Sequence, residues 1–599
     1  MTNQNCYFYS TIAEFLKTSD SDILESLNEG AYNLYKKPAE DSQIRAWNDE
    51  ISVLKNAGEK LPGNWIIIFE YILPREGGRR PDIIILTGNE VLVLEFKQFE
   101  KEHWSHMDQV TGYARDLREY HSYCHDKEVI PFLILTKTKD KQEKHREVQV
   151  LSPDTMVKYL LQYKNEMNEI EPIPFIEGVY QPLPTIIDAA KNIFNNEPLP
   201  QIKTAKSSNI EETLAFLQEK SDEAITNHKN LLMFVTGVPG AGKTLVGLQF
   251  TYNNLSHNAI MLSGNGPLIK VLQSCLENKV GVQLVYNYLD DYNRKPQLIP
   301  AESIITYDEA QRAWDEKHSL LKKRECSEHD NFMRLAKRRS LNGKGTVIIG
   351  LIGEGQSIYV GEEGGIELWN TAIKNSELEW QICCPKHLAS FFENPIINEE
   401  LNLSISLRSK SALQLPNWIE AVIEGNSQKA KEIHAEICNE YPIYITRDFN
   451  QAKDYIVDRY KEEVNKRYGL IISSQANIIS RNDESLKEMR YKDDNLALWF
   501  LNGKNEKSSC CNFEQYITEF VAQGLELDFP LICWGKDFIR FNTQWRIKGY
   551  DPGFTDPKII KQNVYRVLLS RGREGMFIYV PRDPIFNDTH DFLRNCIVL

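Results

Sequence analysis

Short apolar runs, most of them ending in glycine or in charged residues, set the pattern of this chain. Leu231–Thr236 (Leu-Leu-Met-Phe-Val-Thr) reads as a short buried strand. It runs directly into Gly237-Val238-Pro239-Gly240-Ala241-Gly242-Lys243-Thr244, after which Leu245–Phe250 reads as the opening of a helix. A second run, Ser303–Tyr307, leads into Asp308-Glu309-Ala310-Gln311, and a third, Val347–Ile352, leads toward Gln356. Near the N-terminus, Pro81–Leu86 reads as a strand, Thr87–Glu90 as a hairpin turn and Val91–Lys97 as the partner strand. Ile44–Ile51 and the segment around Gln109–Tyr113 read as helical. Strands alternating with helices predict an α/β fold.

The strand–loop–helix order around Gly237 is the setting in which G-x-x-x-x-G-K-S/T binds phosphate. Glycines let backbone N–H groups of the loop, from Gly237, Gly240, Ala241 and Gly242, approach the anion at a helix N-terminus, with Pro239 in the same phosphate-binding loop. Lys243 is then placed for the β- and γ-phosphates of ATP, and Thr244 for Mg²⁺. Such a loop needs an acidic strand end nearby. Asp308 is expected to hold Mg²⁺ through water, and Glu309 to orient or activate the attacking water. Two acids after an apolar run can also cap a helix.

Asp308-Glu309-Ala310-Gln311-Arg312 resembles motif II of superfamily 1 helicases. Downstream, Val347–Gln356 resembles motif III, which gives Gln356 the role of γ-phosphate sensor, with Glu354 standing where most relatives have Asp. Leu403–Ser409 resembles motif IV and Val567–Arg571 motif VI, so the resemblance makes Arg408 and Arg571 arginine fingers, set in apolar-strand contexts. Guanidinium groups there would stabilise the charge of a phosphoryl-transfer transition state. Thr518–Glu526 resembles motif V, and Ser263–Leu268 motif Ia. With Gly361–Gly365 and Tyr468–Ser474, these segments resemble the Schlafen-type DNA/RNA helicase domain over about residues 205–599. The resemblance implies a motor that holds the nucleic-acid backbone rather than reading bases.

In the N-terminal third, alternation along the strand places Glu95 and Lys97 on one face, with Asp82 at the start of the neighbouring strand. Two carboxylates and a lysine converging in this way suit divalent-metal cleavage of a phosphodiester. The P-D-x12-E-x-K spacing resembles the PD-(D/E)XK nuclease core, and Gln109-x-x-x-Tyr113 the signature of its RecB-like branch. Glu50, on the upstream helix, is the candidate extra acid. The resemblance implies Mg²⁺ at Asp82 and Glu95, with Mn²⁺ as an alternative. His121 and His125, spaced i, i+4, also leave a zinc site conceivable, the commoner reading being ordinary helix histidines.

Composition adjusts this picture in a few places. With 599 residues the chain divides into several cores. The expected order is a nuclease domain over 1–180, a proline-punctuated linker over 181–204, and RecA-like P-loop domains over 205–400 and 401–599. The net charge of −14 disfavours a whole-surface polyanion binder, so nucleic acid requires a local basic strip. Lys322, Lys323, Arg324, Arg334, Lys337, Arg338, Arg339 and Lys344 supply one in a stretch (about 314–346) expected to project as an insertion, although a solvated charged helix has the same appearance. Neither a membrane span nor a signal peptide is visible, and the 11 cysteines lack zinc-ribbon spacing, so a cytoplasmic protein with reduced thiols is expected.

The function expected from these features is ATP-driven translocation or unwinding coupled to Mg²⁺-dependent cleavage. DNA is the favoured partner and RNA an alternative. The build resembles bacterial nuclease–helicase phage-immunity proteins. A DNA-repair enzyme, or a nucleotide-gated sensor nuclease without processive movement, would use the same residues.

Overall fold

The computed structural model describes residues 5–598 apart from 75, 165–168, 181, 183–185, 195–208, 238–240, 276–280, 314–325, 354–364, 404–409, 462, 477–489, 492–495, 523 and 549–556. The described chain forms two compact units. The first comprises residues 1–182, 438–442 and 450–466, and the second 183–437, 443–449 and 467–599.

The first unit is built on a 7-stranded sheet. Its strands are β1 (Phe8–Thr11), β2 (Ile66–Phe69), β3 (Ile83–Leu86), β4 (Glu90–Lys97), β5 (Glu128–Leu135), β6 (Gln142–His145) and β7 (Val148–Leu151), in the spatial order β1-β2-β3-β4-β5-β7-β6. β1 to β4 form an antiparallel meander. The sheet then turns parallel from β4 to β5, a change that requires a crossover, here the helix Trp104–Tyr120. Helices α1 (Ile12–Lys17), α2 (Asp20–Tyr35) and α3 (Asp41–Gly58) precede β2, and the crossover helix is α4. The apolar runs of β2 and β3 are buried throughout, as in a sheet covered on both faces.

α4 departs from the amphipathic pattern of a surface helix. Every residue from Ser105 to Leu117 is buried, among them His106, Asp108, Gln109, Arg115 and Asp116. A helix of this kind needs polar partners on several sides. His121, at its C-terminal end, is fully buried and stacked on Phe175, with ring centroids 4.5 Å apart. Its Nδ1 accepts from the backbone N–H of Tyr123, so the neutral ring carries its proton on Nε2, 2.9 Å from the Tyr71 hydroxyl. Both ring nitrogens are thereby engaged, and His121 is a packing residue instead of the zinc ligand its spacing allowed.

The second unit contains two parallel sheets. The first has the order β10-β9-β11-β12-β8-β13-β14, formed by β8 (Asn230–Gly237), β9 (Ala259–Ser263), β10 (Val282–Leu284), β11 (Ile304–Asp308), β12 (Val347–Gly353), β13 (Trp380–Cys384) and β14 (Ile396–Ile397). A short β15 (Asn402–Leu403) also pairs with β8. The other sheet has the order β16-β23-β20-β17-β19-β18, from β16 (Ile443–Thr446), β17 (Tyr468–Ile472), β18 (Arg490–Tyr491), β19 (Gln515–Thr518), β20 (Phe529–Cys533) and β23 (Met576–Tyr579). A separate hairpin joins β21 (Phe538–Phe541) to β22 (Gln544–Ile547).

Three expectations change. Residues 186–194, expected within the linker, form a helix that packs on the helix Lys243–Asn253. In the basic stretch, the helix Glu328–Ser340 does not project: Phe332, Met333 and Leu335 enter the core, and buried Arg339 donates to the carbonyls of Pro300 and Gly345. Lys337 pairs with Glu377 and Arg338 donates to the Tyr292 carbonyl, while Lys322, Lys323 and Arg324 lie outside the described residues. Val567–Leu569 is the end of the helix Pro557–Leu569 instead of a strand. Among the described residues no helix is long and apolar enough to cross a membrane, and all 11 cysteines are free thiols.

Burial holds the His121 imidazole down to about 4 from its ordinary 6.5. The unfolded chain therefore takes up this proton first as pH falls. The associated stability, about 3 kcal/mol, is fully present above pH 6.5 and is lost as pH falls through 4. Thermal melts of the full chain between pH 7 and pH 4 should show a falling midpoint, with a shallower slope in His121→Gln.

Candidate active sites

Strand register assembles the first site. Gly237 at the end of β8 pairs with Gly353 at the end of β12, Tyr307 of β11 pairs with Gly350, and Asp308 pairs with Ser263 of β9. The carboxyl ends of β8, β9, β11 and β12 thus share one edge, where parallel α/β sheets bind ligands. The helix Lys243–Asn253 starts there with Ala241 and Gly242 before it. Lys243 Nζ donates to the Gly237 carbonyl at 2.6 Å, and Thr244 Oγ1 donates to Asp308 Oδ1 at 3.2 Å. A hydroxyl and a carboxylate side by side at the head of a phosphate-type loop are the groups that hold a nucleotide's divalent ion. Pro239 and Gly240 of the loop lie outside the described residues.

Glu309 adopts the left-handed conformation, φ 58°, immediately after β11. For a non-glycine residue this costs on the order of 1 kcal/mol and persists only where the surroundings enforce it. Gln311 is part of that enforcement: its amide nitrogen donates to Glu309 Oε2, and its oxygen accepts the Gly353 N–H at 3.0 Å. A Cβ on Gly353 would lie 3.3 Å from both Gln311 Nε2 and Glu309 Oε2 and 3.8 Å from Lys243 Cε. Gly353 is therefore small because the strand passes against the catalytic candidates. Neither Gln311 nor Gly353 was singled out from the sequence, although both lie in motif segments.

The remaining motor residues divide. Gln356 and Arg408 lie outside the described residues. Arg571 is buried and donates to the carbonyls of Val567 (3.0 Å) and Ala522 (3.4 Å) and to Ser570 Oγ (2.8 Å). Its guanidinium is committed to the lobe that carries it, so action as a finger requires release of those bonds. Nearby, Glu519 accepts from the Ser474 N–H and hydroxyl, tying motif V to the end of β17.

The second site lies in the first unit, where α3, the end of β2, the entry to β3 and the end of β4 supply acidic side chains. Glu95 is 1 % exposed between the buried apolar residues Leu94 and Phe96, and Lys97 Nζ reaches its Oε1 at 2.8 Å, as same-face placement requires. Asp82 Oδ2 accepts the Phe96 N–H at 2.8 Å, which fixes it beside β4. Glu50 is buried on α3, and its Oε2 has no hydrogen-bond partner among the described residues. Burial, reinforced by the charges of Glu70 and Glu95, pushes the Glu50 carboxyl well above its ordinary value. Burial and then Glu95 and Glu50 do the same to Asp82, opposed by Lys97.

Glu70 is the acid the sequence reading missed. It closes β2 in the left-handed conformation, φ 52°. Trp47 Nε1 (2.7 Å) and Gln43 Nε2 (3.2 Å) donate to one of its oxygens, and Arg80 pairs with the other. The apolar run Ile66–Phe69 ending in an acid was a usable signal, the same one that identified Asp308. Gln109 Nε2 donates to Tyr113 Oη at 3.1 Å across one turn of α4.

An orphaned carboxylate oxygen among like charges fits a divalent cation. Asp82 and Glu95 are the residues that could hold one, with Glu50 beside them. Among the described residues, the group of three metal-type side chains with ligand atoms within 4.8 Å of one another is Glu102, Glu143 and His145, not this set. Lys141 already neutralises Glu102 and Glu143 at 2.9 and 2.8 Å. Mg²⁺ needs only one or two carboxylates, completing its shell with water and phosphate, so the wider spacing of the buried set is compatible with it.

A family model for the Schlafen group 3 DNA/RNA helicase domain matches residues 230–582, more than half of the chain. The chain belongs to this family. Residues 230–582 are thereby a DNA/RNA helicase domain, ATP-dependent and directed at nucleic acid. No curated protein matches. Solved structures similar to this chain include Pif1 of Bacteroides bound to single-stranded DNA (12 % identity, 64 % of this chain and 93 % of that one, TM-score 0.27). Pif1 helicase of Candida albicans (10 %, 63 % and 96 %, TM-score 0.28) and the Hef helicase domain of Pyrococcus furiosus (10 %, 63 % and 97 %, TM-score 0.25) are two more.

In this helicase domain the space beside Gly353 can be tested directly. Gly353→Ala should lower the ATPase kcat by about tenfold, equivalent to about 1.4 kcal/mol, because the methyl displaces Glu309 or Gln311. Nucleotide binding and the melting temperature should change little. Steady-state ATPase assays with nucleotide titration check both.

Proposed function

We propose that the protein is an ATP-driven nucleic-acid helicase or translocase whose first unit is a Mg²⁺-dependent nuclease of the PD-(D/E)XK, RecB-like type. The observation that carries the nuclease reading is geometric: Asp82, half-buried, is held against β4 by the Phe96 N–H, and buried Glu95 and its partner Lys97 share the same end of that strand, with Glu50 buried on α3. Structural carboxylates are buried with compensating donors, whereas Glu50 keeps an oxygen without one among the described residues. A divalent cation bound there supplies a metal-activated water and neutralises charge on the scissile phosphate.

The chain's own groups have separable tasks. Asp82 and Glu95 hold the cation and are themselves held by the Phe96 N–H and Lys97. Lys97, at the solvent-facing end of β4, neutralises charge developing on the phosphate. Gln109 and Tyr113 orient the substrate from α4. In the motor, Lys243 and the loop from Gly237 to Thr244 bind the phosphates of ATP, Asp308 and Thr244 hold Mg²⁺, and Glu309 positions water. Gln356, Arg408 and Arg571 complete the site as sensor and fingers. DNA is the favoured substrate. The resemblance to nuclease–helicase immunity proteins gives phage defence as the biological setting.

Asp82→Ala and Lys97→Ala should each reduce Mg²⁺-dependent cleavage of DNA about 100-fold or more with the ATPase rate intact. Lys243→Ala should abolish ATP hydrolysis and single-turnover unwinding. Cleavage that persists in both nuclease-site variants overturns the nuclease assignment. Intact cleavage without any strand movement by the parent protein overturns the motor.

A further inference from the structure

The all-round burial of α4 has an unusual source. The polar residues on its flank are met by the backbone of residues 438–442 and by side chains of residues 450–466, which belong to the first unit although they lie far along the chain. Asp458 accepts from Ser105 Oγ at 2.5 Å and faces His106 Nε2 at 3.3 Å. Tyr455 donates to Asp108, and Arg459 lies 3.6 Å from the same carboxylate and donates to Tyr455 Oη at 3.1 Å. Arg115 donates to the Glu440 carbonyl at 3.1 Å.

The innermost contact reaches the candidate nuclease residues. Glu463 pairs with Arg79 Nε at 3.2 Å, and Arg79 also pairs with Asp116 of α4. These side chains are nearly inaccessible, 2 % for Arg79 and 4 % for each acid. The Arg79 guanidinium lies 4.8 Å from the centre of the Tyr113 ring. It crosses α4 at Gly112, where a Cβ would come within 2.8 Å of Arg79 Nη2. That crossing explains a glycine in mid-helix, a position where it is otherwise unfavourable by about 1 kcal/mol. Arg79 in turn stands three residues before Asp82. One buried ion pair therefore connects residue 463 to both the loop of Asp82 and the Gln109–Tyr113 face of α4.

The same segment is continuous with the motor. β16 ends at Thr446 and β17 starts at Tyr468, both in the second parallel sheet, so residues 450–466 are the connection between two of its strands. We propose that residues 450–466 are a positioning strap, in which Tyr455, Asp458, Arg459 and Glu463 set α4 and make its order depend on the nucleotide state of the motor. ATP-driven movement of a sheet acts on whatever its connections hold, and this connection holds α4. The effect on cleavage rests on the nuclease reading given above. The effect on α4 itself does not.

The test is amide hydrogen exchange over residues 104–120 in the full chain, with and without a Mg²⁺-bound non-hydrolysable ATP analogue, in the parent, Tyr455→Phe and Glu463→Gln. The parent should change exchange in this peptide when nucleotide saturates. Both variants should exchange faster without nucleotide and lose the response, and Glu463→Asp should restore part of it. Cleavage kcat should fall about 10- to 100-fold in the variants, as for residues that orient a metal site, with the KM for DNA and the ATPase rate held. If Glu463→Gln does not fold, Tyr455→Phe, which removes a single hydroxyl, carries the test. Exchange that ignores saturating nucleotide in the parent, or responds equally in folded variants, overturns the strap. Should the parent fail to cleave, the nuclease reading falls and the exchange data still decide the strap.

Discussion

A charged group can be buried only if something compensates it, and that constraint shapes the first unit more than any other. Glu70 satisfies it with three donors, from Trp47, Gln43 and Arg80. Arg79 satisfies it with two acids and an aromatic face. Asp82 and Glu50 satisfy it only in part, and the result is carboxyl groups that keep their protons far above the usual range. Among the described residues Glu50 Oε2 has no hydrogen-bond partner, and in the proposal above a cation balances this cluster.

The motor depends on a different geometric rule. Parallel register puts the ends of four neighbouring strands on one edge, and the phosphate loop, Asp308 and Gly353 follow from it. The two sites nevertheless share a device. Glu70 and Glu309 both close an apolar strand in the left-handed conformation, φ 52° and 58°. Such strain is sustained only by surrounding bonds, and in both residues a neighbouring amide or guanidinium supplies them.

Much of this was legible in the sequence where local pattern and chemistry coincide. The runs before Gly237 and Asp308 gave β8 and β11 because an apolar strand ending in a glycine loop or an acid is a local signal. The hairpin carrying Asp82, Glu95 and Lys97 was legible for the same reason. What escaped depends on contacts distant in sequence. Glu70 ends an apolar run that was a usable local signal, but the bonds that tie it into its site come from Trp47 and Arg80. Arg339 reads as part of a basic strip, yet it is buried against the carbonyls of Pro300 and Gly345. Val567–Leu569 reads as a strand because three apolar residues fit either period, and only the preceding helix from Pro557 decides between them. The contribution of residues 450–466 to the first unit could not be read locally at all.

The central claim is that the cluster around Asp82 is built for a divalent cation, separately from the motor's nucleotide site. The direct measurement is Mn²⁺ binding to the nucleotide-free full chain, followed by electron paramagnetic resonance, in the parent, Asp82→Asn and Lys243→Ala. The account predicts a bound Mn²⁺ that survives Lys243→Ala and disappears in Asp82→Asn. Equal Mn²⁺ binding by the parent and a folded Asp82→Asn would contradict it.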